Sequence, residues 1–523
     1  MNRRSNMFQR AGTIALLTAA FYFLPPPAGA ETRPPNILLI LVDDMGFSDP
    51  GCYGGEPGLT PHLDRLAAHG LRFRQFYNTG RCWPTRASIM TGRYPHEVGH
   101  AMMFGPKAPP AYQGTHRDRG PMIQELLKPA GYVTYHVGKW HLQSRRPDTM
   151  PLQRGFDRSY CMRSQNNFFN PYHVLDEDRS VKRPGDQGDY YVTEAFSQRA
   201  IDYLRGHDPD RPFFLYLAHT APHFPLHALP EDIERFKTTY TRGWDELRKE
   251  RLARQKKMGL FDGPLPPRDP DAAAWADLNP EERKTWAVRM AIHAAMVHCV
   301  DRGIGRIVEQ LKAMNDYENT LILFLSDNGA SAEYIVRGDG HDPDAPPGSG
   351  ASYLCLEVGW SNAANTPFRL HKMWMHEGGI ATPLIAHWPA RIKARGAWTD
   401  QVGHVIDLLP TFLAMAGLEA PKHITGSSLL PILEGGRRSP PEFLFWEHVG
   451  NRALRKGDWK LVAEHNKAWE LYDLKADRNE IHNLAGKHPE QVKALQQTWQ
   501  AEADRIGVVD WNSLPQSKRR PSA

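Results

Sequence analysis

Three short, almost wholly apolar runs constrain this chain more than any other feature: Asn36-Ile-Leu-Leu-Ile-Leu-Val42, Phe213-Phe-Leu-Tyr-Leu-Ala218 and Leu321-Ile-Leu-Phe-Leu325. A strand with one wet face alternates apolar and polar residues. A continuous run suits a strand buried on both faces of a parallel sheet. Between the runs lie patterns of helical period at Pro61 to His69, Met122 to Lys128, Thr193 to Arg205 and Arg289 to Met314. Strands alternating with helices predict an α/β fold built on a doubly wound, mostly parallel sheet. Ligands bind such sheets beyond the carboxyl ends of the strands. The polar residues that follow the runs are therefore the ones to inspect.

The rest of the chain adds fewer constraints. Of 523 residues, 41% are hydrophobic, enough for a large core. The formal charge is +5, and the first thirty residues contribute Arg3, Arg4 and Arg10 without one acid. So small an excess excludes a nucleic-acid binder that works by bulk charge. Those arginines precede an apolar stretch from Ala11 to Leu24, three prolines and Ala28-Gly29-Ala30, the pattern of an export signal spanning residues 1–30. The stretch is shorter than the ~20 residues that cross a bilayer. Arg3-Arg4 is followed by Ser5-Asn6-Met7, a poor match to a twin-arginine signal, and no cysteine for a lipid anchor occurs before Cys52. The mature chain is expected to be periplasmic or secreted, without a membrane span.

Five cysteines in a chain this long do not make a disulfide scaffold. Cys299 shares the apolar side of a helix with Met296, Val300 and Ile304 and reads as a buried free thiol. Cys52, Cys161 and Cys355 lie in loop-like sequence, which allows one bridge among them without assigning it. Residues 262–277 and 337–352 read as long surface loops, and Asp339, Asp342 and Asp344 lack the spacing of a known calcium loop. Residues 421–523 read as a small α+β domain. It has strand-like runs at Glu442 to His448, Leu454 to Ala463 and Trp469 to Leu474, with a terminal helix from Pro489 to Ile506.

Asp43-Asp44 follows the first apolar run and Asp327-Asn328 the third. Either pair alone is an ordinary turn or cap. Together they form an all-oxygen set at the end of the sheet, suited to a hard cation such as calcium or magnesium. Between them lies Gly80-Arg-Cys82-Trp-Pro84-Thr-Arg86, with Gly92 further on. Pro84 suits the first turn of a helix and Gly92 its end. Cys82 then sits just before the helix N-terminus, where free N–H groups favour an anion, and Arg86 points its planar fork at the same spot.

Cys82-Trp-Pro-Thr-Arg86 matches the Cys-x-Pro-Ser/Thr-Arg signature of the formylglycine-dependent sulfatases. The match continues through Asn36 to Asp44, Gly138-Lys-Trp-His-Leu142, Ala221-Pro-His223, Ser326-Asp-Asn-Gly329, His376-Glu-Gly-Gly379, Leu471-Tyr-Asp-Leu474 and Glu480-Ile-His-Asn-Leu484. From Pro34 onward the chain resembles that family, most of all bacterial arylsulfatases of the alkaline-phosphatase-like fold. The resemblance implies a catalytic domain over residues 34–420 that hydrolyses aryl or carbohydrate sulfate monoesters. It implies oxidation of Cys82 to formylglycine by a formylglycine-generating enzyme, the hydrated aldehyde being the nucleophile. Asp43, Asp44, Asp327 and Asn328 would hold one calcium ion together with an oxygen of residue 82. Arg86 and Lys139 would support that site. Lys139, His141, His223 and Lys372 would surround the sulfate and leaving group, Lys372 being placed by its distance from Glu377-Gly378-Gly379.

In this reading Asp327 takes the proton of the attacking hydroxyl, and His223 with Lys372 protonates the departing oxygen. His141 deprotonates the second hydroxyl, which expels sulfate. Trp83, Trp140, Trp360 and Trp374 flank the motifs as an aromatic rim or as core. Arg81 and Trp83 depart from the family pattern, in which smaller residues flank the cysteine. Two other readings share these residues: a phosphonate monoester or phosphodiester hydrolase, and a silent binder of sulfated glycans. A two-zinc phosphatase fits less well, because Asp and Asn stand where zinc would take His. Substrate choice is expected in loops 101–116, 163–189 and 337–366.

Overall fold

The computed structural model describes residues 33–114, 120–143 and 149–514, so the expected export segment lies outside the described residues. The strands are β1 (Asn36–Asp43), β2 (Leu71–Phe73), β3 (Phe76–Tyr77), β4 (Val133–Lys139), β5 (Arg158–Met162), β6 (Val174–Asp176), β7 (Arg179–Val181), β8 (Phe213–Pro222), β9 (Thr320–Ser326), β10 (Leu384–His387), β11 (Ala397–Thr399) and β12 (Gly403–His404). Four more, β13 (Leu444–His448), β14 (Asn451–Lys456), β15 (Trp459–Ala463) and β16 (Glu470–Asp473), follow near the C-terminus.

Ten of these form one sheet in the order β11-β2-β10-β9-β1-β8-β4-β5-β6-β7. At its centre β9, β1, β8, β4 and β5 run parallel, and β10 is antiparallel to β9. The apolar runs are these central strands, and every residue of β1, β8 and β9 is buried. Their pleat divides the side chains between two cores. Leu38, Ile40 and Val42 join Leu215, Leu217, Ile322 and Phe324 on one face, under helices Pro61–Ala68, Val192–Arg205 and Pro280–Ala313. Ile37, Leu39 and Leu41 join Phe214, Tyr216, Leu321 and Leu323 on the other, under helices Cys82–Thr91, Ile123–Leu127 and Leu408–Met415. Two covered faces are why these strands carry no polar alternation.

The four C-terminal strands form a second, antiparallel sheet. The helix Pro489–Ile506 lays Leu495, Trp499, Ala503 and Ile506 against Phe445, Leu454, Leu461 and Leu471 of that sheet. The sheet is tied to the rest of the chain by Trp446, whose Nε1 donates to the Asn78 carbonyl at 2.7 Å.

Three local expectations are corrected. The run Leu454 to Ala463 is a hairpin and not one strand: Lys456 pairs with Trp459 across Gly457-Asp458, and Gly457 has φ 59°. The helix expected to start at Arg289 begins at Pro280, because the Asn279 side chain accepts from Glu281 N and Glu282 N while Glu282 returns the bond to Asn279 N. All five cysteines are buried free thiols, so no bridge joins Cys52, Cys161 and Cys355.

Candidate active site

Four neighbouring parallel strands, β9, β1, β8 and β4, deliver their carboxyl ends to one place. They bring Asp327-Asn328, Asp43-Asp44, His223 and Lys139 respectively, with His141 two residues beyond Lys139. Asp44 and His141 have φ of 66° and 58°, and Met373, next to Lys372, has 83°. Left-handed backbone at residues other than glycine is strained and gathers at functional sites.

The helix carrying Cys82 starts at Cys82 itself, two residues earlier than Pro84 suggests, and ends at Gly92 with φ 66°. Thr85 anchors it, its Oγ1 donating to the Asp327 carbonyl at 2.7 Å. Arg86, one turn on, is fully buried. Its Nε and Nη2 donate to Asp327 Oδ2 at 2.9 and 2.7 Å, and its Nη1 to the Lys139 carbonyl at 2.8 Å. Lys139 Nζ donates to Asp43 Oδ2 at 2.5 Å, and Gln165 Nε2 reaches the same oxygen at 2.8 Å. Asn328 Nδ2 donates to Asp44 Oδ1 at 2.7 Å. Lys372 Nζ lies 2.9 Å from Asp44 and 2.9 Å from Glu333, whose other oxygen is 2.9 Å from Arg81 Nη1. His223 Nε2 is 3.6 Å from Asp44 Oδ2, and its Nδ1 donates to the Phe224 carbonyl. All ten residues expected from the sequence thus gather around this strand junction.

Burial opposes the ionised form of Asp43, but Lys139, His223, Arg86 and Lys372 outweigh it and hold the carboxyl well below the usual range. Burial and the Asp43 charge push Asp327 up to about 7 despite Arg86. Cys82 is 2% exposed, and burial raises its thiol although Lys139 and Lys372 pull the other way. As a thiol it is therefore a poor nucleophile at neutral pH. Burial lowers His223 to about 4 against the pull of Asp44 and Asp43, and burial with the Lys139 and Arg86 charges holds His141 well below its ordinary value. Both imidazoles are neutral at pH 7, and the bond from His223 Nδ1 leaves Nε2 as an acceptor. Lys372 stays charged: burial would discharge it, but Asp44 and Glu333 hold it protonated.

Asp43 Oδ1 and Asn328 Oδ1 are buried without a hydrogen-bond partner. Ligand atoms of Asp43, Asp44 and His223 lie within 4.8 Å of one another. The donor set, oxygens with one imidazole at its edge, fits a hard divalent cation. Asp339, in contrast, is occupied by Arg183 and the Tyr172 hydroxyl.

Sequence reading missed Glu333, Gln165 and the role of Arg81. Glu333 follows the Gly329-Ala-Ser-Ala332 stretch with no spacing or periodicity to mark it. Of the tryptophans, Trp140 and Trp360 are fully buried core. Trp83 stands half-buried beside the site, packed edge-on against His141 and His448.

A doubly wound sheet whose strand ends gather cations and carboxylates around one helix start defines an α/β protein with a site suited to an anionic ligand and a hard cation. The Sulfatase family model matches residues 35–418, and that of the N-sulphoglucosamine sulphohydrolase C-terminal region matches residues 368–506. An uncharacterised sulfatase of Schizosaccharomyces pombe is 33% identical, over 92% of this chain and 95% of its own. An arylsulfatase of Klebsiella aerogenes is 32% identical, over 77% and 91%. Among solved structures, Ps i-CgsB in complex with k-i-k-neocarrahexaose superposes with a TM-score of 0.67 at 25% identity, covering 93% of this chain and 99% of that one. The chain belongs to the sulfatase family. It is a sulfuric ester hydrolase.

Proposed function

We propose that residue 82 acts as formylglycine, that Asp43, Asp44, Asp327 and Asn328 hold one calcium ion beside it, and that the substrates are aryl or carbohydrate sulfate monoesters. The observation that carries this reading is the seating of Cys82. Its helix start is locked to Asp327 through Thr85 and Arg86, which sets the residue between two lysines, Lys139 and Lys372, and two carboxylates, Asp43 and Asp327. A formylglycine-generating enzyme makes the change during maturation, and the protein is exported after cleavage at Ala30 to the periplasm or beyond.

The hydrated aldehyde supplies one hydroxyl to attack sulfur and a second whose deprotonation releases sulfate, and calcium, when bound, lowers the pKa of the attacking hydroxyl and offsets anionic charge. The protein's own groups do the rest. Arg86 fixes Asp327, and Lys139 fixes Asp43. Asp327, raised to about 7, accepts a proton from the attacking hydroxyl. Lys372, held protonated by Asp44 and Glu333, presents its positive charge and a proton to the departing oxygen. His223 does not share that role, contrary to the expectation from the sequence: it is neutral, and its Nε2 can only accept a hydrogen bond from the alcohol once Lys372 has protonated it. His141, whose Nδ1 has no hydrogen-bond partner among the described residues, is the base for the second hydroxyl. The Klebsiella relative supports aryl esters, and the saccharide-bound structure supports sugar esters.

The test is peptide mass spectrometry across residue 82 on protein made with a maturation enzyme, together with sulfate release from 4-nitrophenyl sulfate and from sugar sulfates. An aldehyde about 18 Da lighter than cysteine is expected. Activity should be lost in Cys82→Ala, lost on chelation and restored by calcium. Full activity with only thiol at residue 82 overturns the nucleophile. A markedly higher kcat/KM on a phenyl phosphonate monoester favours the phosphonate hydrolase.

A further inference from the structure

A second cavity, of about 340 Å³, lies in the C-terminal region, between the β13–β14 hairpin and the helix Pro489–Ile506. Its volume is in the range of small-molecule sites. Trp469, Trp499 and Trp511 supply its apolar surface, and Arg452, Gln496 and Gln500 are among its polar groups. Trp469 is half-buried, Gln496 and Gln500 are exposed, and the Arg452 guanidinium lies 4.4 Å from the Trp469 ring centre. One wall is rigid: the Glu447 carboxylate takes hydrogen bonds from His96 at 2.7 Å and Gly450 N at 2.8 Å.

This chemistry is selective. Indole faces pack against apolar C–H surface, while planar amides and a guanidinium bond hydroxyl groups. Arg452 is balanced by Glu447 and Asp510, so the cavity lacks the cationic cluster a phosphate needs, and the ring of polar groups does not suit a lipid chain. A hydroxyl-rich, uncharged ring fits. Neighbouring residues of one hairpin connect the cavity with the surroundings of residue 82. Glu447 faces it, whereas His448 packs on Trp83, which adjoins Cys82. Asn451 Nδ2 donates to the carbonyl of Met373, which adjoins Lys372, at 2.9 Å.

We infer that this cavity is a saccharide-binding site that holds an unsulfated sugar unit of an oligomeric substrate while another unit is at residue 82. The inference rests on the carbohydrate reading above. A second point of attachment raises the effective concentration of the chain at the catalytic site without changing the chemistry there. The cavity should therefore matter for oligosaccharides and not for a small aryl ester.

The probe is a desulfated carrageenan hexasaccharide, with binding read by tryptophan fluorescence and saturation-transfer NMR in the presence of free sulfate. The wild type should bind it. Trp469→Ala should remove the fluorescence response, and the exposed double variant Gln496→Ala/Gln500→Ala should weaken binding at least about fivefold. Both should turn over 4-nitrophenyl sulfate within about twofold of wild type, which also reports intact folding, while kcat/KM on a sulfated carrageenan hexasaccharide falls about tenfold. No binding by the wild type, unchanged binding in both variants, or equal losses on the aryl and hexasaccharide esters would overturn the inference. Failure of all sulfated sugars as substrates, with binding intact in the wild type and lost in the variants, would overturn the carbohydrate reading and with it the link to residue 82, leaving a saccharide site without a part in turnover.

Discussion

Glu333 makes Lys372 directional. The ammonium lies between two buried carboxylates, and Arg81 on the far side keeps Glu333 ionised, its carboxyl held well below the usual range against burial. With the Glu333 charge gone, Lys372 keeps only Asp44. Glu333→Gln should therefore reduce kcat/KM for an alkyl or sugar sulfate by about ten- to a hundredfold, and for 4-nitrophenyl sulfate, whose leaving group needs little help, by much less. Equal losses on both ester classes would show that Glu333 only supports the fold. Neither Glu333 nor Gln165 was legible beforehand, since one polar residue in a loop has no periodicity and no fixed spacing to betray it. Cys82, Arg86 and the Asp pairs were legible because the chemistry demands those residue types at fixed offsets around a helix start and two strand ends. The protonation state of His223 was not legible, because it follows from burial and from a bond to the next carbonyl.

Among the elements, β15 does most to join the small sheet to the catalytic region. Lys460 is fully buried, its Nζ 2.9 Å from Glu377 and 2.8 Å from Glu480. Glu377 opens the Glu377-Gly378-Gly379 turn just after Lys372, and the Tyr77 hydroxyl also donates to it at 3.0 Å. Lys460→Met would leave two buried carboxylates short of a cation. A loss of about 3–5 kcal/mol is expected in denaturant unfolding, and a loss under 1 kcal/mol would show that Arg478, whose Nε lies 3.3 Å from Glu377, and Arg455 suffice. The apolar runs announced β1, β8 and β9 because burial on both faces leaves only apolar residues. The β14–β15 hairpin was hidden, since charged and apolar residues are mixed through Leu454 to Ala463 without a break and Gly457-Asp458 was its one mark. The start of the long helix at Pro280 was hidden because its first two turns are polar and partly exposed.

Over the whole molecule, neutral buried histidines set the acid limit. Burial lowers His219, His227 and His387 to about 4 and His136 and His404 to about 3. The unfolded chain takes up those protons below about 6.5 and the folded chain does not, so each group costs stability as pH falls from about 6.5 towards 4. Asp301, raised to about 7 by burial, works in the opposite direction, as does Asp327, because the folded state keeps a proton that the unfolded state releases above about 4. With His223, also at about 4, six groups against two give a net loss in acid. The midpoint of thermal unfolding should fall steadily between pH 6.5 and 4, and a flat profile would contradict these environments.

The pairing of Arg86 with Asp327 has a consequence in time. The two residues are 241 positions apart. At ~5–20 residues per second, a growing chain exposes its Cys82 segment for on the order of 10–50 s before the strand that will enclose it has been made. If residue 82 is edited as proposed, the enzyme that does so would meet an open peptide during that interval, and a closed door afterwards.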